Sequence, residues 1–154
     1  MKEIHTEIDI KASPEKAWKI LTDFNNFSQW NPFIHKINGD PKVGTKLTIH
    51  LRTLTGKNRT YRPTVTKVEP NRELRWYGKS FIPGIFNGER IFILEPLKTN
   101  HVRFIHREIF TGLGAALAGD RLDKDMYQSL VEMNNAFKER VEQASSQFTN
   151  HSHC

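Results

Sequence analysis

The stretch GDRLDKDMYQSLVEMNNAFKERVEQ, from Gly119 to Gln143, decides how the rest of the chain is read. Its apolar residues Leu122, Met126, Leu130, Met133, Phe137 and Val141 recur at steps of three and four, one stripe along an α-helix. Asp120 suits the N-cap, and Asp123 and Asp125 stand in the first turn beside the positive end of the helix dipole. Lys138 and Arg140 lie towards the other end, where cations are favoured. A helix of about 24 residues spans roughly 36 Å, enough to cross a small domain. The preceding hundred residues read mostly as strands, so the apolar stripe is expected to be buried against a sheet. A sheet wrapped around one long helix often encloses a pocket, which points towards ligand binding.

The strands come in quick succession. Ile4, Thr6, Ile8 and Ile10 alternate with His5, Glu7, Asp9 and Lys11. Ser13-Pro14-Glu15 starts a short helix with a capping hydroxyl followed by proline, and Ala17, Trp18 and Leu21 share its inner face. A second short helical turn over Phe27 to Trp30 ends at Asn31-Pro32. Strands are then predicted at Ile34–Ile37, Thr45–Thr53, Arg59–Val68, Glu73–Lys79, Ile85–Leu94 and Val102–Thr111, separated by Gly- and Pro-containing turns. Pro63 marks an edge or a bulge within its strand. Seven mostly antiparallel strands, two short helices after the first strand and one long C-terminal helix make an α+β domain over residues 1–144. The last ten residues, 145–154, show no pattern and are expected to form a disordered tail.

Composition sets outer bounds. At 154 residues the chain fits one domain with a real core. No apolar run reaches the length of a membrane span, and the N-terminus shows no apolar signal core. The only cysteine is Cys154, so no intramolecular disulfide forms and a cytoplasmic location is expected. The formal charge is +6, and the basic residues read as a solvated surface. Their one dense group, Lys57 to Arg62, sits at a hairpin tip with no nucleic-acid recognition motif beside it, so neither nucleic acid nor stable membrane insertion is expected.

The order and spacing of Ser13-Pro14-Glu15 with Trp18, Trp30-Asn31-Pro32, Val43-Gly44-Thr45, Asn87 to Pro96 and His106 to Gly112 resemble the START-like superfamily, which also holds polyketide cyclases and dehydrases and the birch-allergen-like proteins. The resemblance covers residues 3–143 and is closest to a bacterial branch. It implies the helix-grip fold, a seven-stranded antiparallel sheet wrapped around the C-terminal helix. It also raises the loops Phe81–Phe86 and Gly112–Gly119 as gates, because the corresponding segments of such proteins lie near the cavity mouth.

Chemistry concentrates on two strands. In the last one, Val102, Phe104, His106, Glu108 and Phe110 share a face, and in the preceding one Gly88, Arg90, Phe92 and Leu94 do. Pairing Phe92 with Phe104 would set Arg90 opposite His106 and Gly88 opposite Glu108. The opposite face carries Ile91, Ile93, Ile105 and Ile109, so period alone does not say which face is interior. An interior Arg, His and Glu can pair with one another, and Gly88 leaves room for a ligand. The expected ligand wall is therefore Trp76, Phe92, Phe104 and Phe110 from the sheet and Met126 and Leu130 from the helix, with Arg90, His106 and Glu108 setting orientation.

The reading that follows is a carrier or sensor of a small hydrophobic or amphipathic molecule between sheet and helix. The alternatives are a cyclase/dehydrase-like enzyme using His106 and Glu108 as acid and base, or a protein-interaction module like the superfamily's chaperone activators. No nucleophile elbow, phosphate loop, dinucleotide fingerprint or zinc spacing is present, so no cofactor or metal is expected. His151-Ser152-His153-Cys154 lies in the tail and reads as a chance cluster.

Overall fold

The computed structural model describes the backbone of residues 1–79, 87–112 and 120–152, and side chains within these except at 120–123 and 146–152. Local chemistry builds the first turns as expected. Ser13 caps helix α1 (Pro14–Leu21) by accepting the Lys16 N–H at 3.3 Å, and Pro14 occupies the first turn. A 3₁₀ helix, Phe24–Gln29, follows and delivers Phe24 and Phe27 to the interior in an edge-to-face pair. The Asn31 side chain then accepts from the N–H groups of Phe33 and Ile34, both at 2.9 Å, and turns the chain into the next strand.

Eight strands form among the described residues: β1 (Lys2–Ile10), β2 (Ile34–Asn38), β3 (Thr48–Arg52), β4 (Asn58–Tyr61), β5 (Thr64–Glu69), β6 (Glu73–Lys79), β7 (Asn87–Lys98) and β8 (His101–Thr111). The extra strand comes from Pro63. Lacking an N–H and fixed in φ, it divides the single expected strand 59–68 into β4 and β5. The strands pair antiparallel in the orders β1-β8-β7-β6-β5 and β2-β3-β4. Backbone hydrogen bonds from Leu47 to Pro63 and from Val65 to Thr45, at 2.8 and 2.9 Å, join the two sheets into one wrap.

Helix α2 (Asp120–Ser152) crosses the concave side. Leu130, Met133, Phe137 and Val141 are fully buried, and the Phe137 ring lies 4.5 Å from Phe104 and 5.6 Å from Trp30. The helical backbone runs past the apolar stripe into the segment expected to be a tail, so Lys138 and Arg140 are not in its last turn. Their role is to tie the helix down. The Lys138 ammonium donates to the Asp9 carbonyl and pairs with Glu142, while Glu142 accepts the Lys11 N–H and Arg140 donates to Gln29.

The β7–β8 hairpin settles which sheet face is interior. Its register is Arg90 opposite Glu108, Phe92 opposite His106 and Leu94 opposite Phe104, with Gly88 opposite Phe110. This is two residues away from the pairing expected from the apolar ends. The reason is the turn: Lys98 pairs with His101 across only Thr99 and Asn100, with Asn100 at φ 57°, and a bulge beside Pro96 sets the remaining pairs. A shift of two conserves the face, so Arg90, Phe92, Phe104, His106 and Glu108 all point inward as predicted. The isoleucine row is covered differently. Ile91 is buried, and Ile93, Ile105 and Ile109 are half-buried on the outer face, bordered by the ion pairs Arg75–Glu89, Arg107–Glu3 and Arg103–Asp9, whose aliphatic stems shield apolar surface.

Leu130 is completely buried in the packed core. Leu130→Ala is therefore expected to cost about 2–5 kcal/mol in a urea unfolding measurement. An unchanged midpoint would show that the helix stripe does not pack as described.

Candidate functional site

The interior face of the hairpin carries a charged group that cannot reach water. Arg90 is 2 % exposed, His106 0 % and Glu108 5 %. A buried guanidinium must find acceptors and π-faces. Among the described residues Arg90 meets His106, Glu108 and Phe33, with the Tyr61 hydroxyl also within its influence. One amino group (Nη1) donates to Nε2 of His106 at 2.8 Å, the other (Nη2) lies 3.0 Å from Oε2 of Glu108, and the plane's carbon sits 5.0 Å from the centre of the Phe33 ring. The Glu108 contact is an ion pair by distance but is off-line for a hydrogen bond, and Arg90 Nε is left without a partner.

The arginine fixes the state of the histidine. Because Nε2 accepts from Arg90, the ring proton resides on Nδ1, which donates to Oδ1 of Asn134 at 2.9 Å. The Asn134 amide then donates to Oγ1 of Thr6 at 2.8 Å, and the Thr6 hydroxyl donates to the carbonyl of His106 at 2.8 Å. Each link from guanidinium to backbone matches a donor to an acceptor. Burial, and next the positive charge of Arg90, hold His106 well below the usual histidine range, while the Asn134 bond opposes this weakly. His106 is thus a neutral imidazole with both nitrogens engaged.

Glu108 has a different environment. Burial pushes it up to about 7, against the opposing pull of Arg90, and Glu89 adds to the rise. The Glu108 carboxyl lies over Gly88, where a Cβ would stand 2.7 Å from Oε1. The space that Gly88 leaves is therefore filled by this carboxyl group rather than kept for a ligand. Nearby, the Trp76 indole donates to the Tyr61 hydroxyl at 3.0 Å, and burial pushes the Tyr61 phenol up.

The predicted ligand wall separates into two parts. Trp76, Phe92, Phe104 and Leu130 are buried core, with ring centres 5.1 Å apart for Trp76–Phe92 and 5.9 Å for Phe92–Phe104. Phe110, beyond Glu108 along the same face of β8, and Met126 on α2 are only half-buried. A hollow of about 300 Å³ opens between α2 and the β3–β4 turn, lined by Phe33, Arg52, Leu54 and Ser129 among others. The Phe33 ring stands between this hollow and Arg90. The turn is pinned to α2 by bonds from Leu54 N–H to Ser129 and from the Thr55 hydroxyl to Asp125. Of the two expected gate loops, Phe81–Phe86 lies wholly outside the described residues and Gly112–Gly119 does so from Leu113 onward. The side chain of His151 and residues His153 and Cys154 also lie outside them.

Thr6, Asn134, Phe33 and Tyr61 are site residues that the sequence reading omits. Asn134 carried a signal, since it lies four residues after Leu130 and three before Phe137, inside the apolar stripe. Thr6 likewise occupies an inward position of β1 among isoleucines. Phe33 comes from the bend before β2 and Tyr61 from the end of β4, and no local pattern links them to Arg90.

The two titrating groups pull stability in opposite directions with pH. The unfolded chain protonates His106 near pH 6.5 and the native network does not, so His106 makes the fold lose stability as pH falls below about 6.5. Glu108 titrates at about 7 when folded against 4.5 in the free side chain, so its contribution is lost as pH rises from about 4.5 to 7. Removing one group should expose the other. His106→Phe should gain stability relative to wild type as pH is lowered from about 6.5 to 5, by at most about 1.4 kcal/mol per pH unit, measured by urea unfolding across the range. A parallel pair of profiles would mean that His106 protonates in the native state.

Comparison with known proteins agrees with this architecture. No curated protein matches the sequence. Among solved structures, a START superfamily protein from Mycobacterium smegmatis superposes with a TM-score of 0.74 at 20% identity, over 92% of this chain and 98% of that one. The Zhui aromatase/cyclase from Streptomyces sp. R1128 gives 0.76 at 14% identity, covering 92% and 94%. Ara h 8.0201 gives 0.71 at 17%, covering 92% and 98%. At these identities the likeness is one of fold, the helix grip. The family model described as polyketide cyclase / dehydrase and lipid transport matches residues 1–144, and the chain belongs to that family.

Proposed function

We propose that the protein carries or senses a small hydrophobic or amphipathic molecule, held between the concave sheet and α2, without transforming it. One observation carries this reading: both nitrogens of His106 are committed, to Arg90 and to Asn134. A general base needs a free lone pair directed at substrate, and a general acid needs a proton it can release there. His106 offers neither. What the network does supply is a rigid, polar floor among aromatic side chains, the composition of a site that orients a ligand rather than reacts with it. Glu108, Phe110 and Met126 would meet the ligand where the packed core ends, with its apolar part against the rings and a hydroxyl or carbonyl towards Glu108.

The enzymatic reading has one observation in its favour. A carboxyl group poised at about 7 beside apolar residues has the proton affinity of a general acid at neutral pH. In that case Glu108 alone would deliver the proton, with Arg90 beside it and His106 holding the arginine.

Native mass spectrometry of protein isolated from its own cells would identify the co-purifying molecule. With that molecule in hand, Glu108→Gln separates the readings. A carrier should lose no more than about one to two orders of magnitude in affinity, since a charged hydrogen bond contributes about 1.5–3 kcal/mol, and should release the molecule unchanged. Conversion by wild-type protein that Glu108→Gln slows by about a hundredfold or more, with binding retained, would overturn the carrier reading.

A further inference from the structure

The formal charge of +6 is not spread over the molecule. Between Ile34 and Arg62, the segment that forms the β2-β3-β4 sheet, stand Lys36, Lys42, Lys46, Arg52, Lys57, Arg59 and Arg62 against a single acid, Asp40. Seven cations less one anion make six positive charges. The other 16 Lys and Arg and the other 16 Asp and Glu cancel. All seven cations are exposed, and among the described residues none joins a salt bridge. The larger sheet behaves otherwise: Lys67, Arg75, Arg90, Arg103 and Arg107 each have an acidic partner. His35 and His50 sit on the small sheet with ring centres 6.1 Å apart, beside a hollow of about 400 Å³ that Arg52 and Arg59 also line.

Pairing puts Lys36 and Arg52 on the outer face with His50, while Arg59 pairs with buried Leu51 and takes the other face at the sheet edge. An outer face so rich in one sign repels itself and finds its counter-charge outside the chain. We propose that the β2-β3-β4 face docks reversibly on an anionic lipid bilayer. Two features select a bilayer over nucleic acid. Strand-tracking nucleic-acid sites interleave cations with exposed rings for base stacking. Here Phe33 is buried and Tyr61 is half-buried under its bond from Trp76. The exposed ring here is His35, close to His50, and the loops at the two ends of β3 carry Val43 and Leu54, which are 64% and 54% exposed. Isolated apolar residues beside cations suit the boundary between headgroups and acyl chains. No helix among the described residues is long and apolar enough to cross a membrane, so the contact is a surface one. This inference goes beyond the interior site and holds whether that site is a carrier's or an enzyme's.

Co-sedimentation with lipid vesicles tests it. The protein should pellet with phosphatidylcholine vesicles containing about 30% phosphatidylserine and not with phosphatidylcholine alone. Raising salt from about 0.1 to 0.5 M should lower the partition coefficient at least tenfold. Each surface cation is worth about fivefold in partitioning, so the combined Lys36→Gln, Lys46→Gln, Arg52→Gln variant should bind about a hundredfold more weakly. Neutralising Lys19, Lys98 and Lys124, which lie outside the patch, should change little. Circular dichroism establishes that both variants fold, and the salt response of the wild type stands without them. Equal binding to neutral vesicles, full binding by the triple patch variant, or tighter binding to duplex DNA than to anionic vesicles at the same salt would each overturn the proposal.

Discussion

The buried guanidinium of Arg90 constrains the rest of the site. A charge at 2 % exposure survives only if its surroundings are built for it. That requirement explains why β8 presents a histidine and a glutamate on a face otherwise made of Phe and Val, and why Phe33 lies against the guanidinium plane. It also explains Gly88, whose missing side chain lets Glu108 approach. Breaking the pair from one side would leave the other charge stranded, which typically costs about 3–5 kcal/mol.

The same constraint decides what the site can do. A histidine near a carboxylate suggests acid–base chemistry when read along one strand. In three dimensions burial keeps the ring neutral, and next so does the cation beside it, which donates to Nε2. The proton on Nδ1 then points into a closed chain through Asn134 and Thr6 to the backbone. This links β7, β8, β1 and α2 in one polar network, and networks of this kind specify a single arrangement when their members are satisfied. Under the proposed function, a ligand would meet the carboxyl of Glu108 before the histidine, whose two nitrogens are already engaged.

Much of the fold was legible because period and turn chemistry report local structure. The stripe through Leu130, Met133, Phe137 and Val141, the Ser13-Pro14 cap and the inward set on β8 all follow from spacing. Register was not legible, because the apolar ends of β7 and β8 match equally well two residues apart and only the tight Thr99-Asn100 turn distinguishes them. The split at Pro63 was visible as an irregularity but not as a sheet boundary. Within the site, the triad Arg90, His106 and Glu108 could be found from alternation, whereas Phe33 and Tyr61 reach it from the bend before β2 and from β4. The charge on β2-β3-β4 lay open in the sequence. It reads as scattered until the strands gather it on one sheet, beside a larger sheet whose arginines are paired with acids.

The central claim is that His106 is a fixed, neutral member of the Arg90 network. Long-range proton–nitrogen correlation NMR on the histidine side chains tests it most directly, since it distinguishes the two neutral tautomers from imidazolium. The account predicts that His106 carries its proton on Nδ1, with Nε2 as acceptor, and that this state persists from about pH 8 down to 5.5, through the usual histidine range. A proton on Nε2, or an imidazolium that titrates near 6.5, would contradict it and return His106 to the list of groups able to move protons.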